Sequence, residues 1–160
     1  MNPWFETVFD SQAGAEVLGR RRYGVIEAAD SGLLRVRLRP WAKWISLWEV
    51  GMLGERLHAR RAGNFCRLYY NQPLGHSNFL ALKYLVSSRG CTLATMHAAL
   101  ATLDEIARLK QTDAILCEAS NFRLSGRLMA RYGWQAHKPS PWRRHYIKRF
   151  YGVYPAGGTA

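Results

Sequence analysis

The chain has 160 residues, 48% of them apolar and 21% charged, which is globular usage and excludes a disordered or fibrous protein. No apolar run is long enough to span a bilayer, and the opening residues lack the basic-then-apolar pattern of a secretory signal, so a cytoplasmic location is expected. Lys and Arg total 23 against 11 acids, for a net charge of +12. No acid follows Glu118, whereas Arg123, Arg127, Arg131, Lys138, Arg143, Arg144, Lys148 and Arg149 do. Such a field suits an acidic partner, or a solvated basic surface with no partner at all. Cys66, Cys91 and Cys117 have no Cys-x-x-Cys spacing, and His58, His97 and His145 have no ligand spacing, so reduced thiols and no metal are expected.

In chain order, residues 3–19 read as a helix with apolar positions at Phe5, Val8, Phe9 and Val17. Tyr23–Ala29 and Leu33–Arg39 read as strands of a hairpin turning at Asp30-Ser31-Gly32. In the second strand Leu34, Val36 and Leu38 alternate with Arg35, Arg37 and Arg39, so three guanidiniums share an exposed face. Trp41, Trp44, Ile45, Trp48 and Met52 recur at helical spacing within residues 40–61, a stripe suited to core packing, a substrate wall or a docking patch. Residues 64–72 and 78–86 read as strands, the second apolar enough to be covered on both faces. Thr92 caps a helix reaching Lys110, residues 113–117 form a short strand, and Ser120 or Asn121 caps a helix that Gly133 ends. Residues 134–137 and 145–151 read as a last strand pair. Residues 1–154 then make one domain, with 155–160 as a disordered tail.

The order from Asn64 onward, with Asp113–Cys117, Asn121 and the run Leu128-Met129-Ala130-Arg131-Tyr132-Gly133-Trp134, resembles the second half of the Gcn5-related N-acetyltransferase (GNAT) fold. The resemblance covers about residues 64–151. It implies an α/β (α+β) domain with a mixed, mostly antiparallel central sheet flanked by helices. It also implies acyl transfer from acetyl-coenzyme A or another acyl-coenzyme A to an amine. In that family a splayed strand carries the thioester, and the next helix N-terminus holds the pyrophosphate through free N–H groups. Carried over, Leu85 and Val86 end the thioester strand, Arg89, Gly90, Cys91 and Thr92 form the phosphate turn, and Asn121 caps the later helix. The family's Arg/Gln-x-x-Gly-x-Gly/Ala spacing is absent. Gly90 serves equally well as a simple chain turn. The place of the usual tyrosine acid is held by Met129, which donates no proton. Glu118, His76 and Glu49 are candidate bases, none tied by sequence to a thioester.

Two alternatives stand beside this reading. The basic C-terminal residues, interleaved with Trp142, Tyr146, Phe150 and Tyr151, suit a noncatalytic module that binds nucleic acid or another polyanion. An acyltransferase using an acidic acyl-carrier protein as donor joins the two ideas.

Overall fold

The structure, a computed structural model, describes residues 6–40, 63–119, 125–137 and 144–155. The tryptophan stripe, Asn121, Arg123, Lys138, Arg143, Trp142, Glu49, His58 and most of the expected tail lie outside those residues. The strands are β1 (Glu6–Val8), β2 (Tyr23–Ala29), β3 (Gly32–Arg39), β4 (Phe65–Asn71), β5 (Phe79–Ser87), β6 (Ala114–Ala119), β7 (Gln135–Ala136) and β8 (Arg144–Arg149). The helices are α1 (Ala15–Arg20), α2 (Leu93–Leu109) and α3 (Gly126–Arg131). All eight strands join one sheet in the order β1-β3-β2-β4-β5-β6-β8-β7. Among the described residues only β5 and β6 pair in parallel, with α2 as the crossover. This is the mixed, mostly antiparallel sheet flanked by helices that the resemblance implies.

The β2–β3 hairpin forms, with Asp30 and Ser31 in the left-handed region at its turn, but a bulge leaves Leu34 without a partner on β2, so Leu34 is 46% exposed and Leu33 packs on the core in its place. The first segment does not form one helix. Glu6–Val8 extends the sheet beside β3, and the Asp10 carboxylate then accepts from Gln12 N–H at 2.7 Å, turning the chain before α1 starts. Val8 packs onto Gly14 so closely that a Cβ there would lie 2.2 Å from Val Cγ1.

The core lies between one sheet face and α2. Met96, Ala99, Leu100, Leu103, Ile106 and Ala107 form the buried stripe of α2 and meet Ile26, Val36, Leu38, Cys66 and Leu68. Each fully buried Leu or Ile contributes about 1.5–3 kcal/mol relative to exposure. Lys110, just past α2, donates to the carbonyls of Gly19 at 3.0 Å and Arg21 at 2.6 Å, tying the two helix ends together. The later helix starts after the expected caps: Ser125 Oγ accepts from Leu128 N–H at 3.1 Å, and Gly133 at φ 84° ends it.

Candidate functional site

The site is built where two strands part. The parallel ladder runs from Phe79↔Ala114 to Leu82↔Cys117 and stops, although β5 continues to Ser87. Beyond that point β6 pairs only with β8, through Glu118↔His145 and Ala119↔Arg144. A bulge lies at the point of parting. Tyr69 faces Tyr84 and Tyr70 faces Leu82, so Lys83 is an extra residue on β5 with no partner on β4. A bulge bends and twists its strand, which turns residues 83–87 away from β6. It also shifts the pleat, so Leu82 and Leu85 both line the α2 side, whereas Tyr84 and Val86 pair across to Tyr69 and Arg67 on the other face. Among the described residues, the parallel ladder between β5 and β6 ends at Leu82 and Cys117. The sequence predicts a strand covered on both faces. The structure buries Leu80–Leu82, but residues 84–87 are only half-buried.

The turn after β5 leads into the N-terminus of α2. Thr92 caps the helix, accepting from Thr95 N–H at 3.3 Å. Asn64 braces this cap from β4, its Oδ1 accepting from Thr92 N–H at 2.9 Å and its amide donating to Thr92 Oγ1 at 3.1 Å. The N–H groups of Arg89, Gly90, Leu93 and Ala94 have no acceptor among the described residues, and Leu93 is 55% exposed. Unpaired donors at the start of a 17-residue helix attract an anion. Ser88 does not join them. Buried, it accepts from Phe65 N–H at 2.9 Å and donates to the Gly63 carbonyl, fastening the turn to β4. Gly90 is not left-handed; a Cβ there would sit 3.1 Å from the Gly63 carbonyl oxygen, so close backbone approach explains it. Cys91, half-buried, donates to the Thr92 carbonyl at 3.6 Å, and buried Cys66 donates to Met96 Sδ at 3.8 Å. The neighbouring Cys66 thiol holds the Cys91 thiol below its usual range against the opposing effect of burial, and Cys91 and burial together drive the Cys66 thiol well up.

Side chains fill the gap from the α2 side. Leu82, Leu85, Met96, Leu100, Leu128, Met129 and Tyr132 surround a cavity of about 10 Å³, about one water probe. Met129 is 3% exposed. Tyr132 also lines this cavity, with its hydroxyl donating to the Leu93 carbonyl at 3.4 Å and its ring 5.7 Å from that of His97. The β5–β6 ladder thus ends at Leu82 and Cys117, and side chains of β5, α2 and α3 close together around Met129 beside it.

The opposite sheet face is polar. Glu27, fully buried on β2, receives Arg35 Nε at 2.5 Å, Arg37 Nη2 at 2.9 Å and Arg67 Nη2 at 2.8 Å. Burial pushes its carboxyl up, but the Arg35 hydrogen bond and the charges of Arg67, Arg37 and Arg35 outweigh this and hold it below 4.5. The expected arginine face is real for Arg35 and Arg37, which are 40% and 47% exposed at the side chain. The sequence reading missed the buried acid beneath them and the third partner, Arg67.

The other predicted residues divide. Leu85, Val86, Arg89, Gly90, Cys91 and Thr92 form one continuous strand edge, turn and helix start. His76 is exposed in the loop before Phe79, at the end of β5 away from the gap, so it does not serve there as a base. Arg127 and Arg131 are exposed on α3, and Arg149 is exposed on β8. Lys148 leaves the proposed basic face: its ammonium meets Asp104 of α2 at 2.6 Å, both side chains nearly buried. Arg144 lies in β8 opposite Ala119.

No protein-family model matches the chain, and no curated protein matches its sequence. Among solved structures, one assigned as an acetyltransferase of the GNAT family from Desulfovibrio desulfuricans is 16% identical, with a TM-score of 0.44. That likeness covers 55% of this chain and 62% of the other, less than two thirds of its length. Nourseothricin acetyltransferase is 11% identical, over 91% of this chain and 98% of that one, with a TM-score of 0.39. Both likenesses are too distant to decide chemistry, which rests on the chain's own geometry.

Proposed function

We propose that the protein is an N-acyltransferase that takes an acyl group from a coenzyme A thioester and passes it to an amine. The observation that carries this reading is the parting of β5 from β6 after Leu82 and Cys117, beside a helix start with unpaired N–H groups. The donor's phosphates fit the amides of Leu93 and Ala94, with Arg89 adding positive charge. Its arm fits alongside β5 beyond Leu82, where the parallel ladder to β6 has ended. A β5 N–H aimed at the acyl oxygen would stabilise the charge that develops when an amine attacks. The bound thioester supplies the activated acyl group; the chain binds, orients and excludes water. The arm enters only when Met129 moves, and the unbranched methionine side chain moves at low cost.

The filled cavity favours a second reading: a noncatalytic module binding nucleic acid or another polyanion through Arg127, Arg131 and Arg149. Melting in the presence of acetyl-coenzyme A separates the two. Saturation to 100 times Kd stabilises the native state by about 2.7 kcal/mol, or roughly 5–10 °C for a chain of this size. No shift with the thioester, together with a salt-sensitive shift with single-stranded nucleic acid, favours the module.

A further inference from the structure

The Glu27 cluster is over-supplied with positive charge. Three guanidiniums converge on one carboxylate, leaving +2 on a half-covered sheet face. Each guanidinium carries five N–H donors. Arg35 gives one to Glu27 through Nε, and Arg37 one through Nη2. Arg67 gives Nη2 to Glu27 and Nη1 to Tyr69 at 3.4 Å, while its Nε is buried with no partner among the described residues and the group lies over the Phe65 ring. Buried guanidinium donors and like charges held together are costly unless an anion completes them. The carboxylate of Glu27 aligns the three groups; it does not neutralise them.

The cluster also sits close to the parting strands. Arg67 pairs across to Val86 and Tyr69 to Tyr84, both on the stretch of β5 beyond its ladder with β6. With strands about 4.8 Å apart, the guanidiniums on β4 and β3 lie roughly 5–15 Å from that edge. They are on the face opposite α2 and Met129. A group held there reaches the edge from the side away from the α2 N-terminus.

We propose that Arg35, Arg37 and Arg67, aligned by Glu27, form an anion site that holds the carboxylate or phosphate group of the acyl acceptor. The acceptor is thus an amine with an acidic group a few bonds from its nitrogen. The anion site stands on the cluster alone; its assignment to the acceptor rests on the acyltransferase reading above.

The test begins without any thioester. Inorganic phosphate is titrated into the full chain at constant ionic strength, with chloride as the control, and followed by calorimetry and melting. Saturable binding is expected, weakened at least tenfold in Arg37→Gln and in Arg35→Gln and unchanged in Arg108→Gln, which alters an exposed helix pair with Glu105. Circular dichroism confirms that each variant is folded. No saturable binding, or binding indifferent to both substitutions, overturns the site. Turnover is then compared for phosphoethanolamine, β-alanine and ethylamine with acetyl-coenzyme A. A preference of tenfold or more for an acidic amine, lost in Arg37→Gln, supports the acceptor assignment; equal use of ethylamine overturns it. Phosphate binding without turnover of any amine supports the anion site and defeats the acyltransferase reading.

Discussion

Leu82 of β5 and Cys117 of β6 form the last parallel pair between their strands, and Lys83, the next residue, is the bulge that turns β5 away. The gap is therefore written into the backbone rather than carved by side chains. Deleting Lys83 removes the extra residue and extends the ladder. The expected result is loss of acetyl-coenzyme A binding with the fold retained, read by calorimetry and circular dichroism. Unaltered binding after the deletion argues that the bulge does not form the site.

Cys91 is half-buried with a lowered thiol pKa, whereas Cys66 and Cys117 are buried. Thiolate, not thiol, reacts with alkylating agents. Iodoacetamide near neutral pH should therefore label Cys91 at least tenfold faster than the other two, as mapped by peptide mass spectrometry. Bound coenzyme A should slow that labelling, because Cys91 lies in the same turn as Arg89 and Gly90. Equal labelling of all three sites contradicts the described environment.

Glu27 links acidity to stability. Its folded pKa lies below the ordinary 4.5, so its contribution is fully present above about 4.5 and is lost as pH falls from there through the folded value. Glu27→Gln removes the charge that three arginines share and should cost about 3–5 kcal/mol at neutral pH. The stability gap between wild type and variant should narrow below pH 4.5. Denaturant unfolding across pH measures both, and a gap that stays constant with pH contradicts the clamp.

Tyr70 faces Gly24 across the sheet, and a Cβ at Gly24 would lie 2.5 Å from the Tyr70 hydroxyl oxygen. Gly24→Ala should destabilise the protein by about 1–3 kcal/mol through overpacking. The Tyr70 hydroxyl is buried without a hydrogen-bond partner among the described residues. Tyr70→Phe removes that unpaired group and should leave stability unchanged or raise it by about 1 kcal/mol. Urea unfolding of both variants checks the pair; a marked loss in Tyr70→Phe shows that the hydroxyl is satisfied in solution.

Much of the sheet was legible. Turn chemistry at Asp30–Gly32 and the Thr92 cap each record a local preference, and both hold; the alternation holds from Arg35 to Arg39 but breaks at Leu34, where a bulge set by pairing with β2 exposes the side chain. The features that make the site were not legible. The bulge at Lys83 depends on the register of β4 against β5, which no local pattern encodes. The bracing of Thr92 by Asn64 spans 28 residues, and the grip on Glu27 by Arg67 crosses between the neighbouring strands β2 and β4, which are separated in sequence by β3. The opening strand was misread because Phe5, Val8 and Phe9 suit either period over so short a stretch.

Met129 gives the most direct test. Acetyl-coenzyme A is titrated by calorimetry into wild type, Met129→Ala and Met129→Trp, each verified as folded by its melting transition. The gap between β5 and β6 as donor site predicts equal or tighter binding in Met129→Ala and at least tenfold weaker binding in Met129→Trp. Thioester binding that ignores both changes, or that is absent from wild type and Met129→Ala alike, contradicts it.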